Sequence, residues 1–117
     1  MILAYATRTG NVKSIIDRLG VKDVVDVNTT DKVDKDFIIF TYTDGFGDVP
    51  YEVEEFLENN SSHLKGVVAS GSKHYESTFC MAGDEISQKY NVPLLYKVDE
   101  SGTEEDIKNI LNIINNL

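Results

Sequence analysis

Apolar residues gather along the chain in five short clusters, and the segments between them carry either a three-and-four apolar spacing or a polar connector. The first cluster runs from Met1 to Tyr5 without alternation, and Val12, Ile15, Ile16 and Leu19 follow at helical spacing, which predicts a strand and then a helix. Val21 to Val27 is a β-branched run ending at Asn28, Thr29 and Thr30, and reads as a second strand. Phe37 to Tyr42 is nearly all apolar, as expected of a central strand covered on both faces. The nine residues 28–36 between these two are few for a parallel crossover, so at most one helical turn fits there.

Pro50 suits the opening of a helix whose apolar face is Val53, Phe56 and Leu57 and which ends at Asn59, Asn60, Ser61 and Ser62. Gly66 to Ser70 is a fourth strand; Phe79, Ala82, Ile86 and Tyr90 mark a third helix, stopped by Pro93; Leu94 to Val98 is a fifth strand. Thr103 caps a last helix with an acidic first turn, Glu104, Glu105 and Asp106, and an inward face of Ile107, Ile110, Leu111 and Ile114. Strands alternating with helices imply an α/β doubly wound parallel sheet with right-handed crossovers. Residues 1–117 read as a single domain, with no internal repeat.

In such sheets ligands bind beyond the carboxyl ends of the strands, where the strand order reverses. Three loops rich in glycine and hydroxyls follow strands one, three and four, and should meet at that edge. The first, Tyr5-Ala6-Thr7-Arg8-Thr9-Gly10-Asn11, leads from a strand into a helix N-terminus. Free backbone N–H groups, the helix dipole and the hydroxyls of Thr7 and Thr9 make that geometry an anion site. The same residues also suit an ordinary strand-to-helix turn capped by Thr9.

Eleven basic residues against twenty acidic ones give a net charge of -9, which argues against a nucleic-acid partner. No stretch approaches the roughly 18 apolar residues of a membrane span, and the start of the sequence lacks a basic region followed by an apolar run. A cytoplasmic location without membrane attachment is the expectation. The lone Cys80 has no partner for an internal disulfide. A thiol at a helix start can be activated, but beside Phe79 and Met81 a packing role is the simpler reading. His63 reads as a surface residue. A phosphorylation receiver would need acids at the end of strand one, where this chain has Ala6, Thr7 and Arg8.

A phosphate loop without a GxGxxG pattern, with glycine loops after strands three and four, resembles the flavodoxins. Tyr42-Thr43-x-Gly45-Phe46-Gly47-x-Val49-Pro50, then Ala69-Ser70-Gly71, then Phe79, Asp84, Ile86 and Ser87, Pro93 and Ser101-Gly102-Thr103 narrow the resemblance to the NrdI family. Its members are small flavodoxin-like activators of class Ib ribonucleotide reductase. The resemblance spans Leu3 to about Ile114 and implies five strands in the order 2-1-3-4-5, in three layers. It further implies that Thr7, Arg8, Thr9, Gly10, Asn11 and Val12 hold the phosphate of FMN. Thr43, Asp44, Gly45, Phe46 and Gly47 would lie along one edge of the isoalloxazine, and Ser70, Gly71, Ser72, Tyr75, Phe79 and Cys80 along the other. No metal site in this chain is implied. The third loop departs from the family: Gly71-Ser72-Lys73-His74-Tyr75-Glu76 stands where relatives commonly carry Gly-Asn-Arg-Asn-aromatic-Gly.

The chemistry expected of such a site is tuning by what touches flavin N5 and the ring faces. A glycine peptide at Gly45 can flip at little steric cost and offer its carbonyl to reduced N5; the alternative is that Gly45 and Gly47 only shape a turn. Phe46 and Tyr75 could wall the flavin or fold onto the core. Asp44 and Asp48 would disfavour negative charge on the flavin, whereas Arg8, Lys73 and His74 would favour it. By resemblance, the reduced protein reacts with dioxygen and supplies superoxide or peroxide to the radical-generating dimanganese subunit of the reductase. A flavodoxin reductase or similar donor would furnish the electrons. A generic flavodoxin passing single electrons is the alternative, and a ligand-free scaffold a third.

Overall fold

The computed structural model describes all 117 residues. In chain order the elements are β1 (Ile2–Tyr5), α1 (Asn11–Leu19), β2 (Val24–Asp26), β3 (Phe37–Tyr42), α2 (Tyr51–Asn60), β4 (Leu64–Gly71), α3 (Met81–Tyr90), β5 (Leu94–Asp99) and α4 (Glu104–Asn115). The five strands form one parallel sheet in the order β2-β1-β3-β4-β5, as expected from the sequence.

Alternation along the central strand explains why its sequence is apolar throughout. Phe37 and Ile39 point to one side, into a cluster with Val53, Phe56 and Leu57 of α2 and Ile86 of α3. Ile38 and Phe40 point to the other, against Val12, Ile15, Ile16 and Leu19 of α1 and Ile107 and Ile110 of α4. Each side of the sheet thus has its own core of twelve buried residues. On the α2 side Phe37 and Phe56 meet edge to face with ring centroids 5.4 Å apart.

Several boundaries differ from expectation. The second strand is three residues, not seven, although its ladder bonds reach one residue further each way: Leu3 N donates to Asp23 O and Val27 N to Tyr5 O. As the edge strand it is half exposed, so its apolar pattern is weaker evidence of extent. The connector 28–36 forms no helix. Buried Asn60 ties it down: its Nδ2 donates to Asp31 O (2.8 Å) and its Oδ1 accepts from Val33 N (2.9 Å). Strand four starts earlier, at Leu64, which pairs with Phe37. The third helix begins at Met81 and not at Phe79, because Cys80 adopts a left-handed conformation (φ 54°) that no helix can continue through. Thr103 caps α4 as expected, in a reciprocal box with Asp106.

Candidate functional site

β1 delivers the chain to the sheet's carboxyl edge, and α1 begins at Asn11 after Gly10, whose φ of 93° is open to glycine alone. The capping hydroxyl is not that of Thr9. Thr7 Oγ1 accepts from Gly10 N (3.2 Å) and Lys13 N (3.4 Å), drawing the loop around the start of the helix. The amides of Arg8, Thr9, Asn11 and Val12 have no acceptor anywhere in the protein. No acidic residue occupies the first turn of α1. Four free donors at the positive end of a helix dipole are the groups an anion with several oxygens requires. Val12 contributes through its backbone only, since its side chain is buried in the core.

These residues line a cleft of about 150 Å³. Tyr42 and Thr43 close one wall, and Ser70, Gly71, Ser72 and Glu100 the other. The walls are joined by hydrogen bonds: Thr43 Oγ1 donates to Ser70 O (3.0 Å), and Ser70 Oγ donates to Glu100 O (2.6 Å). Glu100 N in turn donates to Gly71 O (2.7 Å). A Cβ on Gly71 would stand 2.9 Å from the backbone nitrogen of Cys80, so only glycine lets the third loop pack against the start of α3.

The second loop is a small closed turn. Asp44 N donates to Asp48 O (2.8 Å), while Gly47 N (3.0 Å) and Asp48 N (2.7 Å) both donate to Asp44 O. Gly45 N donates to the side-chain Oδ1 of its neighbour Asp44 (3.0 Å). These bonds hold the Asp44–Gly45 peptide at both ends. The next peptide is different: Gly45 O and Phe46 N have no partner. With Gly45 and Gly47 at φ 47° and 101°, the Gly45–Phe46 peptide is the one in this loop free to rotate.

Phe46 is 92% exposed and Tyr75 66% exposed, so neither folds onto the core. Phe46 and residues 73–78 border a second, open cleft of about 760 Å³, and Ser72 of the first cleft is next in sequence to Lys73 of the second. His74 meets Tyr75 edge to face at 5.5 Å, and Lys73 Nζ lies 5.9 Å from the centre of the Phe79 ring. The Cys80 thiol faces the core and not the cleft: Sγ donates to Ala69 O (3.3 Å) and Val98 O (3.5 Å). Burial pushes its pKa up to about 12, opposite in direction to the lowering a helix start can give.

One ion pair spans two of the loops. Arg8 Nη1 sits 2.5 Å from Asp44 Oδ1, and the guanidinium lies 5.1 Å from the centre of the Tyr42 ring. Tyr42 OH donates to Glu52 Oε2 (2.7 Å), and burial first, then that carboxylate, pushes the phenol up to about 12. Tyr42 and Glu100 line the site although sequence reasoning did not single them out as ligand contacts. Tyr42 ends β3 and Glu100 directly follows β5, both at the carboxyl edge, a signal that would have found them. His63 lies at the opposite end of β4, beside Asp36 at 3.3 Å. No group of three or more His, Cys, Asp or Glu side chains is arranged to hold a metal ion.

Known structures share this architecture. A short-chain flavodoxin associated with a bacterial microcompartment superposes with a TM-score of 0.72 at 26% identity, covering 99% of this chain and 94% of that one. Oxidised flavodoxin 1 from Bacillus cereus gives 0.72 at 19% identity, over 99% and 97% of the two chains. A Fusobacterium nucleatum flavodoxin bound to flavin mononucleotide gives 0.63 at 17%, over 98% and 94%. The latter two identities speak to the fold alone. In sequence, Protein NrdI of Bacillus licheniformis is 38% identical over 106 residues, which is 91% of this chain and 81% of that protein. The sequence profile of the family described as NrdI Flavodoxin like matches residues 3–112. With five parallel strands in flavodoxin order and that match over nearly its whole length, the chain belongs to the NrdI family of flavodoxin-like proteins.

Proposed function

We propose that the chain binds FMN at the carboxyl edge of the sheet and activates class Ib ribonucleotide reductase. The observation that carries the cofactor assignment is the set of four amides, Arg8, Thr9, Asn11 and Val12, left without acceptors at the α1 N-terminus. A phosphate dianion supplies several acceptors at once and complements the dipole. The 150 Å³ cleft suits that phosphate and part of the ribityl chain, and is smaller than the roughly 300 Å³ at which whole-ligand pockets begin. Phe46 and the 73–78 loop would then hold the tricyclic ring in the open cleft they border.

Within that arrangement Thr7 donates its hydroxyl hydrogen to the phosphate, because its oxygen already accepts two amides. The unpartnered Gly45 carbonyl would be the acceptor offered to flavin N5, its peptide being free to rotate. Exposed Phe46 and Tyr75 wall the ring and shield it from bulk water. Bound there and reduced by a flavodoxin reductase or a similar donor, FMN would supply the electrons that convert dioxygen to superoxide or peroxide, the oxidant for the dimanganese–tyrosyl radical cofactor of the partner subunit. The protein needs no side chain acting as acid or base for this role.

Two measurements test the reading. Purified protein should be yellow and release FMN, not FAD, on denaturation. The reduced protein, mixed rapidly with dioxygen and the dimanganese subunit, should generate a tyrosyl radical by electron paramagnetic resonance. Flavin without radical would leave a generic single-electron carrier, and no flavin would remove the assignment.

A further inference from the structure

Arg8 stands between two acids, one of them part of the protein. It lines the phosphate cleft, yet its guanidinium is engaged by Asp44, which lies outside that cleft on the second loop. The same Asp44 Oδ1 that receives Arg8 Nη1 at 2.5 Å receives Gly45 N at 3.0 Å. One oxygen therefore joins the cation of the first loop to the peptide beside the rotatable Gly45–Phe46 unit. Both side chains are more than a third exposed (58% and 40%), so neither is locked in place by packing.

We infer that Arg8 is a shared cation for which the FMN phosphate and Asp44 compete, so that phosphate binding and the hold on the 44–48 loop are thermodynamically coupled. The inference rests on the FMN reading above and extends it to how the two loops communicate. A dianion held on the Arg8, Thr9, Asn11 and Val12 amides is a stronger attractor for the guanidinium than a single carboxylate. Arg8 turning inward leaves Asp44 with Gly45 N alone. Linkage then requires reciprocity: the factor by which bound phosphate weakens the Arg8–Asp44 pair is the factor by which the pair weakens phosphate binding. Toward the phosphate, Asp44 is a positioning residue in this scheme: it acts through Arg8 and does not line the phosphate cleft.

The test compares FMN with riboflavin, which lacks the phosphate, by quenching of flavin fluorescence in the full-length protein. Asp44→Asn keeps the acceptor for Gly45 N and removes the charge. It should raise the preference for FMN over riboflavin about two- to fivefold, the range an exposed ion pair supports. In an Arg8→Gln background the same substitution should leave the preference unchanged, and Arg8→Lys should preserve part of the effect. A purely structural role for Asp44 would weaken both flavins equally. An unchanged preference in Asp44→Asn, or an equal rise with and without Arg8, overturns the inference while leaving FMN binding intact. A parent protein that binds no FMN overturns the functional reading and this inference with it. Melting temperatures of all variants should match the parent, since both side chains are exposed.

Discussion

Replacing Thr7 by valine separates the two roles of its hydroxyl. Valine nearly matches threonine in shape but has no oxygen, so Gly10 N and Lys13 N lose the acceptor they share at 3.2 and 3.4 Å. The start of α1 is exposed, and water replaces part of that loss; a missing cap costs about 1 kcal/mol. In a chain of this size, that lowers Tm by roughly 3–6 °C. The ligand effect is larger. The lost donor faced a dianion, and hydrogen bonds to charged groups contribute about 1.5–3 kcal/mol, so FMN affinity should fall roughly 10- to 150-fold. Riboflavin affinity should change by no more than about twofold, because its ring and ribityl contacts lie elsewhere. Fluorescence titration with each flavin, with Thr7→Ser as the control that keeps the oxygen, measures this directly. Equal weakening of both flavins, or a fall in Tm with FMN affinity untouched, would refute the phosphate assignment of Thr7.

Asn60→Asp preserves shape but turns a double donor into an acceptor facing the carbonyls of Asp31 and Phe56. Urea unfolding at pH 7 should show a loss of about 2–4 kcal/mol. The buried carboxyl's pKa is raised, so the deficit against the parent should shrink at pH 4 as the group protonates. Cys80, fully buried and with its pKa pushed up to about 12, should resist iodoacetamide at pH 8 in the folded protein and react in guanidinium; rapid labelling of native protein would contradict the packing role. Tyr42, raised from 10.0 to about 12, stabilises the fold below its ordinary pKa and loses that contribution as pH climbs through the folded value. Stability of the parent should therefore fall between about pH 10 and 12, and the Tyr42→Phe variant should lack that part of the slope.

The alternation of apolar clusters with helical spacing was enough to determine a parallel doubly wound sheet, because burying a strand on both faces requires apolar side chains at every position, as in Phe37 to Phe40. The meeting of the three loops around one cleft followed too, since parallel topology sends every strand's carboxyl end to one edge. Where the chain is only partly buried, sequence was a poorer guide. Val24 is 38% exposed on the edge strand, and there the apolar pattern overstated the strand's length.

Other features depend on backbone direction or on groups far apart in sequence. Thr7 and not Thr9 caps α1, a choice between hydroxyls two residues apart that backbone direction makes. Cys80 is turned inward by its left-handed backbone and by Ala69 and Val98 on two neighbouring strands. Arg8 and Asp44 are 36 residues apart, and nothing local announces their pairing. Periodicity reports which face of an element is dry; hydrogen bonds and ion pairs between loops depend on where separate turns end in space, and only the packed sheet specifies that.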